Sequence, residues 1–430
     1  MNIILSILLF LSAVGLLIYL YKYKELFNAT ILFSLYFFLY TIFPYLWAKH
    51  DKLLQKNLYY FPQLFDSQLY QEILISSYSA FVSFIAGYFI FSVFLKILKN
   101  KQLLNPVKTR YDLLKNPNSG NLDLVNSGIM IGVCVAGLLS IFLLVGKSGY
   151  AYSGIDGLIN GSNLLTALKV FCEYLFVFLT MRILLHSKFK FKVFILLSIL
   201  FGVIILGSNI LSGIRKPFYF YLLFFLYVFY SNYKDRIKLK SIITSLILLL
   251  FAYSAMVGIY LFRENIDMNF ENYQYNFLIP LQAETIFSYL IIPTSINLDK
   301  IYLLDIDSLN FYLNPFIQVI PRIIFPSKDN FIYNINYDIA PVGGGNLIAE
   351  SYLNGGIPTI IITFFILGVL GVLLNKLSQK IISFKFIEIY LYSMLFTTGY
   401  NYTIKNVMLY SLILYVFYIM SKSNKKIIIK

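Results

Sequence analysis

The chain has 430 residues, 59% of them hydrophobic and only 13% charged, with a mean hydropathy of +0.74. Water-soluble domains carry about twice that share of charge, so these figures exclude one. The net charge of +15 does not mark a nucleic-acid binder, because the basic residues flank apolar runs instead of forming one stripe. The reading is an all-α polytopic integral membrane protein, in which lipid takes the place of a globular core.

In chain order, the first apolar run covers residues 3–21. It lacks a basic n-region and ends at Tyr21-Lys22-Tyr23-Lys24 instead of a small-residue cleavage site, so it reads as a retained anchor. Further runs at 29–47, 73–95, 128–145, 170–185, 193–211, 217–230, 241–261, 357–374, 381–398 and 406–420 bring the total to eleven transmembrane helices. The organisation is an N-terminal bundle over 1–261, a long loop over 262–356 and C-terminal helices over 357–430. Cys134 and Cys172 fall inside apolar runs and read as packing residues; two cysteines support neither a disulfide framework nor a thiolate metal site. Glu173 follows Lys169 by one helical turn and can pair with it. Glu388 sits within an apolar run, near its cytoplasmic end, where a carboxylate is unusual enough to suggest a function.

Lys and Arg resist translocation and collect in the cytoplasm. Counted on alternate sides of the predicted spans, 23 of the 35 basic residues fall on one side, which places the N-terminus outside and the C-terminus in the cytoplasm. The loop at 262–356 is then external and holds 10 of the 20 acidic residues, among them Asp299, Asp305, Asp307 and Glu350. Segments 276–292 and 311–325, interrupted by Pro280 and Pro321, read as interfacial or re-entrant helices. Counting them as spans instead gives thirteen, at the cost of an acidic cytoplasmic loop.

Three of the six arginines, Arg215, Arg263 and Arg322, lie on the outer side, against nine of the 29 lysines. Guanidinium groups bind phosphate in a bidentate fork and keep their charge beside lipid, so a lipid-linked pyrophosphate is a natural target. Arg215-Lys216-Pro217 follows Gly207 and Gly213 at a turn between two apolar helices, a plausible anion nest or a snorkelling pair. Arg263 ends a span beside Glu264, an ordinary place for a boundary charge. Arg322 lies in Pro321-Arg322-Ile323-Ile324-Phe325-Pro326-Ser327-Lys328, an apolar stretch where a cation needs an anionic partner.

The last motif runs Gly343-Gly344-Gly345-Asn346-Leu347-Ile348-Ala349-Glu350-Ser351-Tyr352-Leu353-Asn354-Gly355-Gly356 directly into an apolar helix. Its only carboxylate, Glu350, can act as a base on a sugar hydroxyl if burial lifts its pKa, or can neutralise one of the arginines. Asp305-Ile306-Asp307 has the spacing of a metal-nucleotide site, but two acids in an acidic loop arise easily by chance. His50 and His186 fall on opposite sides of the membrane and cannot share a site. No Walker loop, dinucleotide fingerprint, zinc spacing or hydrolase elbow occurs, and the expectation is no cofactor and no metal.

Taken together, the Gly-x-Arg turn, the arginine before a long external loop, Pro-Arg-x-x-x-Pro-x-Lys within it and the Gly-rich Glu-x-Tyr-x-Asn-Gly-Gly before the next span resemble the Wzy-type oligosaccharide repeat-unit (O-antigen) polymerases. The resemblance covers residues 207–374 and the general topology. It implies a GT-C-like glycosyltransferase of the bacterial inner membrane, which transfers the growing glycan from undecaprenyl pyrophosphate to the non-reducing end of a lipid-linked repeat unit. By the same resemblance, donor and acceptor are both undecaprenyl-pyrophosphate-linked oligosaccharides, and a flippase and a chain-length regulator are partners. Glu350, Arg215 and Arg322 would be catalytic, with Arg263, Lys216, Lys328, Gly344, Tyr352, Asn354 and Gly355 binding substrate. Asn354-Gly355-Gly356 departs from the commoner Phe-Gly form of that turn. Two rival readings use similar residues: an O-antigen ligase-like enzyme with another acceptor, and a lipid-linked oligosaccharide flippase. A transporter should show paired broken helices in two halves and midplane charges, whereas these charges gather at one surface.

Overall fold

The computed structural model describes residues 28–42, 44, 67–100, 128, 131–139, 163–186, 191–212, 216–233, 253–254, 257–258, 261, 291–293, 295–296, 308–320, 324, 345–380, 383–396, 399–400, 403–408 and 411. Among the described residues the regular elements are helices: α1 (Ala29–Phe37), continuing as a π-helical stretch (Phe38–Ile42), α2 (Ser67–Asn100), α3 (Asn163–His186), α4 (Phe191–Ser212), α5 (Lys216–Tyr233), α6 (Ser308–Val319), α7 (Leu347–Leu353), α8 (Gly356–Lys380) and α9 (Ser383–Met394). Among the described residues two stretches are long and apolar enough to cross a membrane, Gln71–Leu98 within α2 and Gly356–Ser378 within α8.

The apolar runs at 73–95, 170–185, 193–211, 217–230 and 357–374 each lie inside a helix. The run at 3–21 lies outside the described residues, and those at 29–47, 128–145, 241–261, 381–398 and 406–420 lie partly outside them. The run at 381–398 forms a shorter helix than its hydropathy suggests. α9 has 12 residues, about 18 Å at 1.5 Å per residue. It gives way to a turn at Leu395, whose carbonyl accepts the Leu347 amide at 3.2 Å. α6 stops at Val319, as expected two residues before Pro321, since the residue preceding a proline is pushed out of the helical region.

By compactness the chain divides into two units, one formed by Met1–Thr109 with Leu281–Lys430 and the other by Arg110–Pro280. In the first, α2 and α8 pack with their backbones in contact. A Cβ on Gly87 would strike the Phe365 carbonyl, and one on Gly368 would strike the Phe84 carbonyl and stand 2.7 Å from the Tyr88 amide. Gly371 leaves room for the Ala29 methyl and the Tyr392 hydroxyl, each 2.8 Å from where its Cβ would be. Small residues at such crossings let apolar helices gain dispersion energy that lipid cannot supply. Around them lies an aromatic core: Phe33 stacks on Phe84 with centroids 3.7 Å apart, meets Phe364 edge-on at 5.8 Å and lies 5.3 Å from Phe396. On the opposite sides Phe89 of α2 is 67% exposed and Ile362 of α8 60% exposed. Apolar faces of this kind suit a hydrocarbon surrounding.

Among the described residues of this unit a charged pair is buried. Lys385 Nζ lies 2.8 Å from Glu388 Oε2, one turn apart on α9, and this pairing accounts for the carboxylate within an apolar run without a catalytic role.

In the second unit α5 is tied to both its neighbours. Its Tyr221 hydroxyl donates to the Ser198 carbonyl of α4, and Asn232 Nδ2 donates to the Leu184 carbonyl of α3 at 3.0 Å. Pro217 stands in its first turn, where a missing amide costs nothing. Cys134 and Cys172 are free and buried, as their apolar context suggests, and Glu173 is fully buried.

The glycine crossing yields a stability prediction. Gly368→Leu forces α2 and α8 apart and should destabilise the protein by roughly 1–3 kcal/mol or more. Gly207→Ala, where an added Cβ meets nothing within 4 Å, should leave the fold intact. Thermal midpoints in detergent, followed by size-exclusion chromatography, check both; equal midpoints would contradict the crossing.

Candidate functional site

The short helix α7 begins because Asn346, in extended conformation, turns its side-chain oxygen onto the Ile348 amide at 2.9 Å, a standard N-cap. It ends when Asn354 Nδ2 donates back to the Glu350 carbonyl at 2.6 Å. Gly355 and Gly356 follow with φ of 141° and 69°, conformations that L side chains rarely adopt, and α8 starts at once. The Asn354-Gly355-Gly356 variant therefore has a physical reason: two successive positive-φ residues lead the chain from α7 into α8. Thr359 Oγ1, which occupies the space a Gly355 side chain would need, reaches the Asn354 carbonyl at 3.4 Å.

This scaffold places Glu350 on the inner face of α7, only 5% exposed. Its Oε2 accepts the Tyr400 backbone amide, and its carboxyl group lies where a Cβ of Gly399 would be, with Cδ 2.6 Å from that point. Gly399 has φ of 72°, so both its backbone and its space are reserved for glycine. The Tyr400 hydroxyl donates to the Tyr312 carbonyl of α6 at 3.3 Å, and the two rings meet edge to face at 5.4 Å. The Tyr312 hydroxyl in turn pairs with Thr363 Oγ1 of α8 at 2.6 Å. Four parts of the chain thus close a ring around one carboxyl group: α7, the Gly399–Tyr400 step, α6 and α8.

Burial pushes the Glu350 carboxyl from its ordinary value of 4.5 up to about 8, with the Tyr400 amide pulling the other way because it favours the anion. Burial also raises the phenols. Tyr400 rises to about 12, with Tyr312 and Glu350 nearby adding to the effect. Tyr312 rises less freely, because Thr363 and Ser351 hydrogen-bond to it. The site is therefore a carboxyl that is mostly neutral near pH 7 but within reach of ionisation, beside two neutral phenols. Such a group can hand over or take up a proton at working pH.

Of the residues singled out from the sequence, Glu350, Tyr352, Asn354 and Gly355 come together on α7 and its turn. Asn354 and Gly355 shape that turn, and the Tyr352 carbonyl accepts the Gly355 amide at 3.2 Å. Lys216 opens α5, with its side chain outside the described residues. Arg215, Arg263, Arg322, Lys328 and Gly344 lie outside the described residues, as do Asp305 and Asp307. Tyr312, Gly399 and Tyr400 escaped the sequence reading; the one available signal was a glycine between two apolar runs. Compared with protein-family models, with curated proteins and with solved structures, the chain finds no match.

A pH dependence of stability follows from Glu350. The folded chain holds a proton that the unfolded chain releases, so the stabilisation is complete below the ordinary carboxylate range and is lost as pH rises through about 8. Glu350→Gln keeps the neutral shape and cannot ionise. Its thermal midpoint in detergent should fall less between acidic pH and alkaline pH than that of the unaltered protein. Parallel midpoint curves would contradict a carboxyl that is neutral in the fold.

Proposed function

We propose that the protein is a repeat-unit polymerase of a bacterial surface polysaccharide, working on the outer face of the inner membrane with undecaprenyl-pyrophosphate-linked oligosaccharides as donor and acceptor. The observation that carries the reading is a buried carboxyl, Glu350, whose pKa burial lifts to about 8, at the opening of a helix long and apolar enough to cross a membrane. Such a group suits chemistry in which one sugar hydroxyl loses a proton beside the bilayer. The eleven-span, GT-C-like architecture, with the N-terminus and long loop outside and the C-terminus in the cytoplasm, belongs to the same reading.

In the reaction, the acceptor hydroxyl oxygen bonds to C1 of the donor's reducing-end sugar while the bond from C1 to the pyrophosphate oxygen breaks. The leaving electron pair stays on undecaprenyl pyrophosphate, and the hydroxyl proton passes to ionised Glu350. The products are a glycan longer by one repeat unit and free undecaprenyl pyrophosphate, which leaves the proton to be returned to solvent. Because the transition state resembles an oxocarbenium ion with negative charge growing on the pyrophosphate, cations that meet that charge lower the barrier. Arg215, Arg263 and Arg322 supply them, with Lys216 and Lys328 in support, and the lipid pyrophosphate already holds the energy that a nucleotide sugar otherwise provides. A flippase delivers the repeat units and a chain-length regulator sets when elongation stops.

Removing one such charge donor typically costs about 3–4 kcal/mol, two to three decades in rate. Arg215→Ala and Arg322→Ala should therefore each abolish the long-chain ladder on a gel of surface glycan while the protein remains in the membrane. A normal ladder from both variants would discard the pyrophosphate clamp. Deletion should leave single repeat units on lipid; full-length chains left undelivered would instead identify a ligase.

A further inference from the structure

The Glu350 carboxyl is bound by the Gly399–Tyr400 step, 50 residues further along the chain. We propose that the Gly399–Tyr400 step is the positioning element of the site: Gly399 provides the space into which the carboxyl folds, Oε1 foremost, and the Tyr400 amide engages Oε2. This inference rests on the reading of Glu350 as the reacting carboxyl.

Three features support it. The positive φ of Gly399 and the occupation of its missing side-chain position by the carboxyl are independent demands, one on the backbone and one on space, and both are met by glycine alone. An amide donor aimed at a carboxylate strengthens when the group ionises, so the Tyr400 amide favours the state that can accept a proton. Finally, the step is itself anchored: the Tyr400 hydroxyl holds the Tyr312 carbonyl, Tyr312 holds Thr363, and the Leu347 amide holds the Leu395 carbonyl at the end of α9. Little slack is left between the amide and α7. Among the described residues, the phenols of Tyr400 on this step and of Tyr312 on α6 bear on Glu350, both raised and therefore neutral across the working range.

The test uses the full chain in lipid nanodiscs and dicyclohexylcarbodiimide, an apolar reagent that modifies buried carboxyls only when they are protonated, read at Glu350 by peptide mass spectrometry. In the unaltered protein, labelling should fade as pH rises past about 8. Gly399→Ala pushes the carboxyl off the Tyr400 amide, so labelling should persist to higher pH, and turnover should drop by roughly a hundredfold, as displacement of a reacting group by about 1 Å does. Gly132→Ala, where an added Cβ meets nothing within 4 Å, should retain the unaltered labelling curve. An unchanged labelling curve and turnover in Gly399→Ala would overturn the proposal. If Gly399→Ala does not accumulate, it is combined with Glu350→Ala, which vacates the contested space. Accumulation of the double variant supports the proposal, and its absence where Glu350→Ala alone accumulates overturns it. Labelling that shifts as expected in a protein with no polymerising activity would support the positioning and overturn the polymerase reading.

Discussion

A carboxyl group enclosed by apolar helices must stay neutral or be gripped by donors, because an unpaired buried anion is far too costly. Glu350 is arranged for both states. It is buried deeply enough to hold its proton near neutrality, and it faces one backbone amide that offers the anion a partner. The rest of the first unit serves this compromise. The N-cap at Asn346 starts α7 at the right place, Asn354 and the two positive-φ glycines end it, and Gly399 removes the one side chain that would fill the carboxyl's space.

Close packing holds the helices of this unit together. The glycine crossing of α2 and α8 brings two backbones into contact, and the aromatic cluster of Phe33, Phe84, Phe364 and Phe396 ties α1, α2, α8 and the turn after α9 together. A general base must hold its geometry within a fraction of an ångström to be effective. Long apolar helices with close crossings are a means of achieving this where no water-driven core is present.

The helical class was legible in the sequence, because long apolar runs have few alternatives to helix; five predicted runs lie wholly inside helices, two of which are long and apolar enough to cross a membrane. Glu350 was legible too, as the lone carboxylate in a glycine-rich stretch leading into an apolar helix. Its partners were not. Tyr312 and Tyr400 stand among 37 tyrosines, and the contacts that distinguish them connect positions 88 and 50 residues apart, with no local pattern to mark them. Hydropathy also carried the helix in the run at 381–398 past Met394, where the chain turns at Leu395 and Phe396; apolar character alone does not register that turn. Glu388 drew attention for its rarity, yet Lys385 one turn before it is a sufficient reason for its presence.

The central claim is that the Glu350 carboxyl exchanges a proton during glycan transfer. Purified protein in liposomes, supplied with a lipid-pyrophosphate-linked repeat unit and its products sized by mass spectrometry, tests this most directly when Glu350→Gln is compared with the unaltered chain. The account predicts multiples of the repeat unit from the unaltered protein and none from the variant, although both fold and insert. Full chain growth by Glu350→Gln would make the carboxyl a structural brace and contradict the account.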